Sequence, residues 1–353
     1  MSQRDNTITY LKTIGIILMV IGHSQCSIPY ARQVIYMFHM PLFFFASGYC
    51  FNNSYLNQPK QFVKKRLRGL WWPYVKWSLL FLLLHNFFFS ICFYSDHLGY
   101  GTYVPCRFTA VETLIRALLI GITMQGHDLL LGGYWFLPAL FWGSVISFFL
   151  LKLLKKAWLA CLVALLIDVF LNAIGWRVPL FYVGPQALAA ATLFRAGHCF
   201  AYYHIPRFLW WQSALSLLLM VVGSFFWLCD MDSSFYNTYR LLPYLFTALL
   251  TVWSIYSLLS QMSIAQWVDS TLQFIGQHTI TILTFHFVAF KLISLIIIRL
   301  HHLPVQQLSQ FPVIDENSGG GWWWIGYTLA GIIIPLLPAM VVKWCRGTQN
   351  ITN

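Results

Sequence analysis

Residues 8–27 read ITYLKTIGIILMVIGHSQCS. Twenty mainly apolar residues in a helix rise about 30 Å, the thickness of a bilayer's hydrocarbon core, so this run is expected to span a membrane. Two ionisable groups interrupt it, Lys12 and His23. A charge in a span costs about 2.5–3.5 kcal/mol on insertion scales, so such exceptions point to function. Eleven residues is close to three helical turns, so both side chains share one face, about 16 Å apart along the axis. Taken singly, Lys12 also fits a lysine snorkelling to headgroups, and His23 an interfacial histidine.

The rest of the chain extends the pattern. Its 353 residues are 59% hydrophobic and 9% charged, with mean hydropathy +0.66. Soluble domains carry about 25% charged residues, so lipid must be the solvent for much of this surface. Ten runs have spanning length: 8–27, 34–52, 71–93, 134–154, 157–174, 179–203, 208–229, 241–259, 273–298 and 322–342. The expected fold is therefore an all-α integral membrane bundle of about ten transmembrane helices, with residues 1–353 forming one domain. The first run lacks a small-residue cleavage site and is expected to stay in the protein. Between the third and fourth runs, the loop from Tyr94 to Gly133 holds an amphipathic stretch, Phe108–Ile122, suited to the interface.

The net charge of +12 would suggest nucleic acid in a soluble protein. Here Lys and Arg flank apolar runs, so topology accounts for them, and no nucleic-acid partner is expected. With a cytoplasmic N-terminus, inner ends hold Arg4, Lys60, Lys64, Lys65, Arg66, Arg68, Lys76, Lys152, Lys155, Lys156, Arg207, Lys343 and Arg346. Outer ends hold only Arg32, Arg107, Arg116, Arg177, Arg240 and Arg299. That asymmetry puts both termini in the cytoplasm. The eight cysteines show no metal-ligand spacing, so no metal is expected. Cys92 and Cys106 flank one loop and have the option of pairing; buried free thiols are the simpler expectation.

Other polar groups stand inside apolar runs. His39 lies in Phe38-His39-Met40-Pro41-Leu42-Phe43-Phe44, where Pro41 leaves a carbonyl one turn back without its donor. His39 is then either a packing histidine or a partner for His23. The stretch Lys64-Lys65-Arg66-Leu67-Arg68 satisfies the positive-inside rule and equally suits a phosphorylated ligand. Tyr134-Trp135-Phe136 opens the fourth run, as belt residues or as a stacking face for a sugar. Arg195 and His198 stand in the sixth run, His286 and Lys291 in the ninth, all expected to face the bundle interior. Runs three, seven and eight look plain.

Taken in order, these motifs resemble the acyltransferase 3 family of membrane O-acyltransferases, in particular its fucose 4-O-acetylase-like branch. The likeness is strongest at 5–75, 134–142 and 275–290. It rests on Lys12 and His23 with ten residues between them, the Phe38–Phe44 motif, Lys65-x-x-Arg68 before Pro73-Tyr74, Trp135-Phe136-Leu137, and Gly276 followed by Phe285-His286. The family usually has arginine where this chain has Lys12, which keeps the charge and loses the bidentate fork. The resemblance implies transfer of an acetyl group from acetyl-CoA to a carbohydrate hydroxyl. It implies His23 as general base, with His39 orienting it or donating to the oxyanion. Lys65, Arg66, Arg68 and Lys12 would hold the donor, and Trp135, His286 and Arg195 the acceptor side. The partners implied are a carbohydrate acceptor and membrane lipid, in a bacterial inner membrane. A transporter or flippase of lipid-linked glycans would also need intramembrane charges and a basic loop, and a non-catalytic sensor on the same scaffold is a third reading.

Overall fold

The computed structural model describes residues 6–97, 104–176, 184–226, 231, 238–314 and 321–349. Fourteen α-helices and no strand occur among them. Arg4, Arg177, Cys229, part of the loop from Tyr94 to Gly133, the start of the 179–203 run, the end of the 208–229 run and residues 315–320 lie outside the described residues.

The first helix, α1 (Asn6–His23), ends four residues before its apolar run does, and Gln25 then turns with φ 52°. His23 thus sits at a helix terminus, where the chain bends away. The expected second span is two short helices, α2 (Ala31–Tyr36) and α3 (His39–Tyr49), separated at Met37–Phe38. The break falls before Pro41. This puts the proline in the first turn of α3, where a missing N–H costs nothing. Eleven residues of α3 rise about 16 Å, too little to cross alone.

A short α4 (Pro59–Arg66) leads through a π-helical turn, Leu67–Trp71, into α5 (Trp72–Ser90). Next comes α6 (Ala110–Thr123), opened by a capping box in which Thr109 and Glu112 exchange side-chain and backbone bonds. Val111, Leu114, Ile115, Leu118 and Ile122 make one exposed apolar face, as its amphipathic pattern requires. The fourth span starts earlier than expected. Asp128 caps a 3₁₀ turn at Leu129–Trp135 that runs into α7 (Phe136–Leu154).

The remaining helices are α8 (Ala157–Ala173), α9 (Pro185–Tyr202), α10 (Trp210–Phe226) and α11 (Thr238–Gln261). They are followed by α12 (Gln266–Gln277), α13 (Thr279–Leu300) and α14 (Trp323–Gln349). The expected ninth span is divided at His278. Its first part belongs to amphipathic α12, and α13 alone has spanning length.

By length and composition, four helices among the described residues can cross a membrane: Leu129–Leu154, Arg240–Gln261, Thr279–Leu300 and Trp323–Lys343. Two shorter apolar helices, Ala157–Ala173 and Trp210–Phe226, accompany them.

At the centre of the bundle, α9 packs against α3, α7 and α8. Small residues allow the approach. A Cβ on Gly48 would fall 1.7 Å from the Phe194 carbonyl oxygen, and one on Gly197 would fall 2.2 Å from that of Phe45. Backbone therefore lies on backbone where α3 crosses α9.

Span three is less plain than its sequence. His85 on α5 is buried and bonds Asp128 Oδ2 at 2.6 Å through Nδ1 and the Cys106 carbonyl at 2.8 Å through Nε2. Tyr94 donates to the same carboxylate, and Phe108 stacks on the imidazole at 3.8 Å. This network ties the loop after α5 to the start of the fourth span. Cys92 and Cys106 remain free thiols, and the free cysteines among the described residues are half-buried or exposed rather than buried.

Candidate active site

The shared face of Lys12 and His23 links two cavities, one at each end of α1. The larger, about 340 Å³, is lined by Lys12, Ser47, Cys50, Tyr55, Lys65 and Arg66, among others. Helices α1, α3, α4, α7 and the first turn of α13 form its walls. Three cations meet there, and none of its described lining residues is Asp or Glu.

Arg66 and Lys12 are half-buried and Lys65 is exposed. The Arg66 guanidinium lies 5.2 Å from the rings of both Phe62 and Phe194, and Nη1 donates to Ser47 Oγ at 3.1 Å. Nε is buried with no hydrogen-bond partner. Burial lowers the Arg66 pKa to about 10, which still leaves it cationic at neutral pH. Lys65 Nζ donates to Tyr55 at 3.1 Å. Arg68, two residues beyond Arg66, is exposed and lines neither cavity.

The smaller cavity, about 90 Å³, is lined by Ile21, Gly22, His23, Gln25, Cys26, Arg32, Ile35, Tyr36 and Pro312. It has room for a few water molecules or a hydroxyl-bearing group. The His23 ring stands 5.5 Å from that of His286, 5.0 Å from Phe287 and 6.5 Å from Tyr36. His39 lies beyond Tyr36, its ring 4.9 Å from that tyrosine.

Two of these histidines have defined tautomers. His286 Nδ1 is 3.1 Å and 3.0 Å from the carbonyls of Ile282 and Leu283, and His39 Nδ1 is 2.9 Å from that of Ile35. A carbonyl only accepts, so in each neutral ring Nδ1 holds the proton and Nε2 is a bare lone pair. Nε2 of His286 is buried with no partner. A neutral His39 held this way has no second N–H for an oxyanion.

Along α1 between Lys12 and His23, the larger cavity has an aromatic wall. Phe43 and Phe136 both line the larger cavity, with ring centroids 5.4 Å apart. The Phe43 ring fills the space where Gly15 lacks a side chain, 2.8 Å from an imagined Cβ. Gly15 is one turn from Lys12 on the way to His23.

The site residues expected from the sequence therefore separate. Lys12, Lys65 and Arg66 meet at one end, and His23 and His286 at the other. Trp135 is buried at the end of the 3₁₀ turn that packs on α13 and lines neither cavity. Arg195 is fully buried behind the larger cavity, bonded to Ser147 and His198, with its guanidinium 5.3 Å from Phe51. Sequence reasoning missed Ser47, Cys50, Tyr55 and Arg32. Their types are common in apolar runs and loops, and only the fold turns them toward a cavity.

An acyltransferase domain family model, that of the acyltransferase 3 family, matches residues 5–340. No curated protein and no solved structure matches the chain. A match across nearly the whole sequence, on a bundle of long apolar helices, makes this chain a member of the acyltransferase 3 family and an integral membrane acyltransferase.

Proposed function

We propose that the protein transfers an acetyl group from acetyl-CoA to a hydroxyl of a carbohydrate, with His23 as general base. The observation that carries this reading is the pairing along α1. A cationic cavity without a lining carboxylate stands at one end, and a histidine pair beside a small open cavity at the other. The residues of the larger cavity fit the donor's phosphates. Lys12, Lys65 and Arg66 supply positive charge, and the buried Arg66 Nε still lacks an acceptor. In this reading the donor's pantetheine arm reaches along α1, past Phe43 and Phe136, toward His23.

In the reaction, neutral His23 takes the proton of the acceptor hydroxyl as its oxygen bonds to the thioester carbonyl carbon. The carbon–sulfur bond then breaks, and His23 returns the proton to the leaving sulfur. The neutral His286 ring, centred 5.5 Å from that of His23, stands beside a neighbour that becomes cationic during the step, and its bare Nε2 lone pair stabilises that charge. His39 supports the site through Tyr36. Holding base and thioester together replaces a bimolecular encounter with a local one. An acetyl-histidine intermediate on His23 is the alternative route through the same residue.

The same proposal includes about ten membrane crossings with both termini cytoplasmic, a bacterial inner membrane, an acceptor that is a cell-surface or exopolysaccharide glycan or its lipid-linked precursor, and the fucose 4-O-acetylase-like branch. Positive charge at the Lys65 end supports this orientation, because CoA is cytosolic.

The test is thiol release from acetyl-CoA by purified protein in detergent, with a panel of glycan acceptors, for wild type and His23→Ala. Acceptor-dependent release should fall by about 10²–10⁴-fold in the variant. Release that persists removes His23 from the chemistry. Failure to bind acetyl-CoA, together with glycan translocation in vesicles, would establish the flippase instead.

A further inference from the structure

Lys291 lies in the middle of α13, five residues after His286, with no solvent exposure. A lysine so placed is costly unless its three donors are used. Its Nζ donates to the carbonyls of Leu308 and Gln310, at 2.7 Å each. Neither acceptor is helical neighbour or carboxylate. Both belong to the segment that leaves α13 at Leu300, makes a 3₁₀ turn at Val305–Ser309, and comes back toward the bundle.

Lys291 is nine residues before the end of α13, so the segment re-enters to a depth of about 13 Å below that end. Irregular backbone at such depth is tolerated only where protein covers it and satisfies its polar groups. Lys291 supplies two of the donors. Next along the chain, Phe311 packs on Phe287 at 4.6 Å, and Pro312 lines the same cavity as His23. Phe287 itself touches both His23 and His286.

We propose that Lys291 is a positioning residue. By gathering the Leu308 and Gln310 carbonyls, it holds the Phe311–Pro312 corner as the roof of the histidine site and limits its access to water and acceptor. The inference rests on the reading of His23 as the acid–base group, but its test does not require that reading to hold. Lys291→Met keeps the length of the side chain and removes its donors. Phe311→Ala loosens the same roof from the other side and leaves the Lys291 donors in place, although it removes a ring centred 5.9 Å from Nζ.

The experiment compares wild type with both variants, reading carbethoxylation of His23 and His286 by peptide mass spectrometry alongside acetyl-transfer kinetics. Faster modification of both histidines is expected in each folded variant. For Lys291→Met, kcat should fall by about 100-fold, the cost of a small misplacement at a reacting centre. The KM for acetyl-CoA should be unchanged, because the donor cavity is at the other end of α1. Modification at the wild-type rate in either folded variant overturns the proposal, and so does loss of donor binding, which would mark general damage. If Lys291→Met does not fold, Phe311→Ala decides alone. If His23→Ala keeps its activity, the base assignment fails while the labelling of His286 still reports on the roof.

Discussion

Arg66 and Arg68 are two residues apart in one basic stretch, and the fold gives them different work. Arg66 turns inward between two phenylalanine rings, and Arg68 remains on the surface. Arg66→Gln is expected to raise the KM for acetyl-CoA by about tenfold or more, the worth of a charge-assisted bond, whereas Arg68→Gln leaves it near wild type. Equal effects in steady-state kinetics would count against the cavity as donor site. Burial brings the Arg66 pKa down to about 10. The cation is the form that binds phosphate, so donor affinity should hold through neutral pH and weaken as pH rises toward that value. Cys50 gives a reporter at the same place: its exposed thiol lines the cavity, and acetyl-CoA should slow its alkylation by a maleimide while leaving Cys345 unaffected. The histidines divide in a similar way. His23, His39 and His286 are all legible as ionisable groups in apolar runs. That His286 is the ring against His23, with Tyr36 set before His39, is a matter of which helices meet.

Helix ends as well as helix interiors build the site. His23 terminates α1, the break between α2 and α3 sets His39 at the start of a new helix, and the division at His278 lets α13 begin beside the donor cavity. The apolar runs were legible in order, but these interruptions were not, because an apolar residue at a break has the same hydropathy as one in a turn of helix. The interfacial helix α6 is the exception, since Thr109 and Glu112 announce its start. The bonds from Thr109 hold the Glu112 carboxyl below its ordinary value of 4.5. A depressed carboxylate contributes above its unfolded pKa and loses that contribution as pH falls through the folded one. Amide protection factors across Ala110–Thr123, taken relative to the intrinsic exchange rate at each pH, should therefore be high at neutral pH and fall as the medium is acidified below about 4.5. Glu112→Gln should weaken this dependence, and an identical profile in that variant would remove the cap as its cause.

For the whole molecule, the decisive contact is where α3 crosses α9. No rotamer relieves a Cβ placed within 2 Å or so of a carbonyl oxygen, so Gly48→Ala and Gly197→Ala force the helices apart. Overpacking costs about 1–3 kcal/mol when side chains can shift, and more when backbone must move. Both variants should show a lower thermal midpoint in detergent, with the donor cavity affected first because α3 forms one of its walls. A midpoint equal to wild type would mean that the two helices separate freely. The proposed orientation is testable by labelling. Single cysteines at Arg32 and at Lys65, in a background without other accessible thiols, should react with an impermeant reagent from opposite sides of the membrane. Labelling from the same side would overturn the topology.

Composition and run length were enough to establish a helical membrane protein, because hydrocarbon leaves the backbone few other ways to satisfy its hydrogen bonds. The eleven-residue interval between Lys12 and His23 likewise put both on one face of a helix, since 3.6 residues per turn is a local property. What stands opposite that face depended on contacts between residues far apart in the chain. Arg66 was gathered to Lys12 while Arg195 was left behind Phe51, and Pro312 came to line the His23 cavity from a segment whose Leu308 and Gln310 carbonyls bond Lys291. Those outcomes follow from how helices and loops pack, which the periodicity of any one segment does not contain.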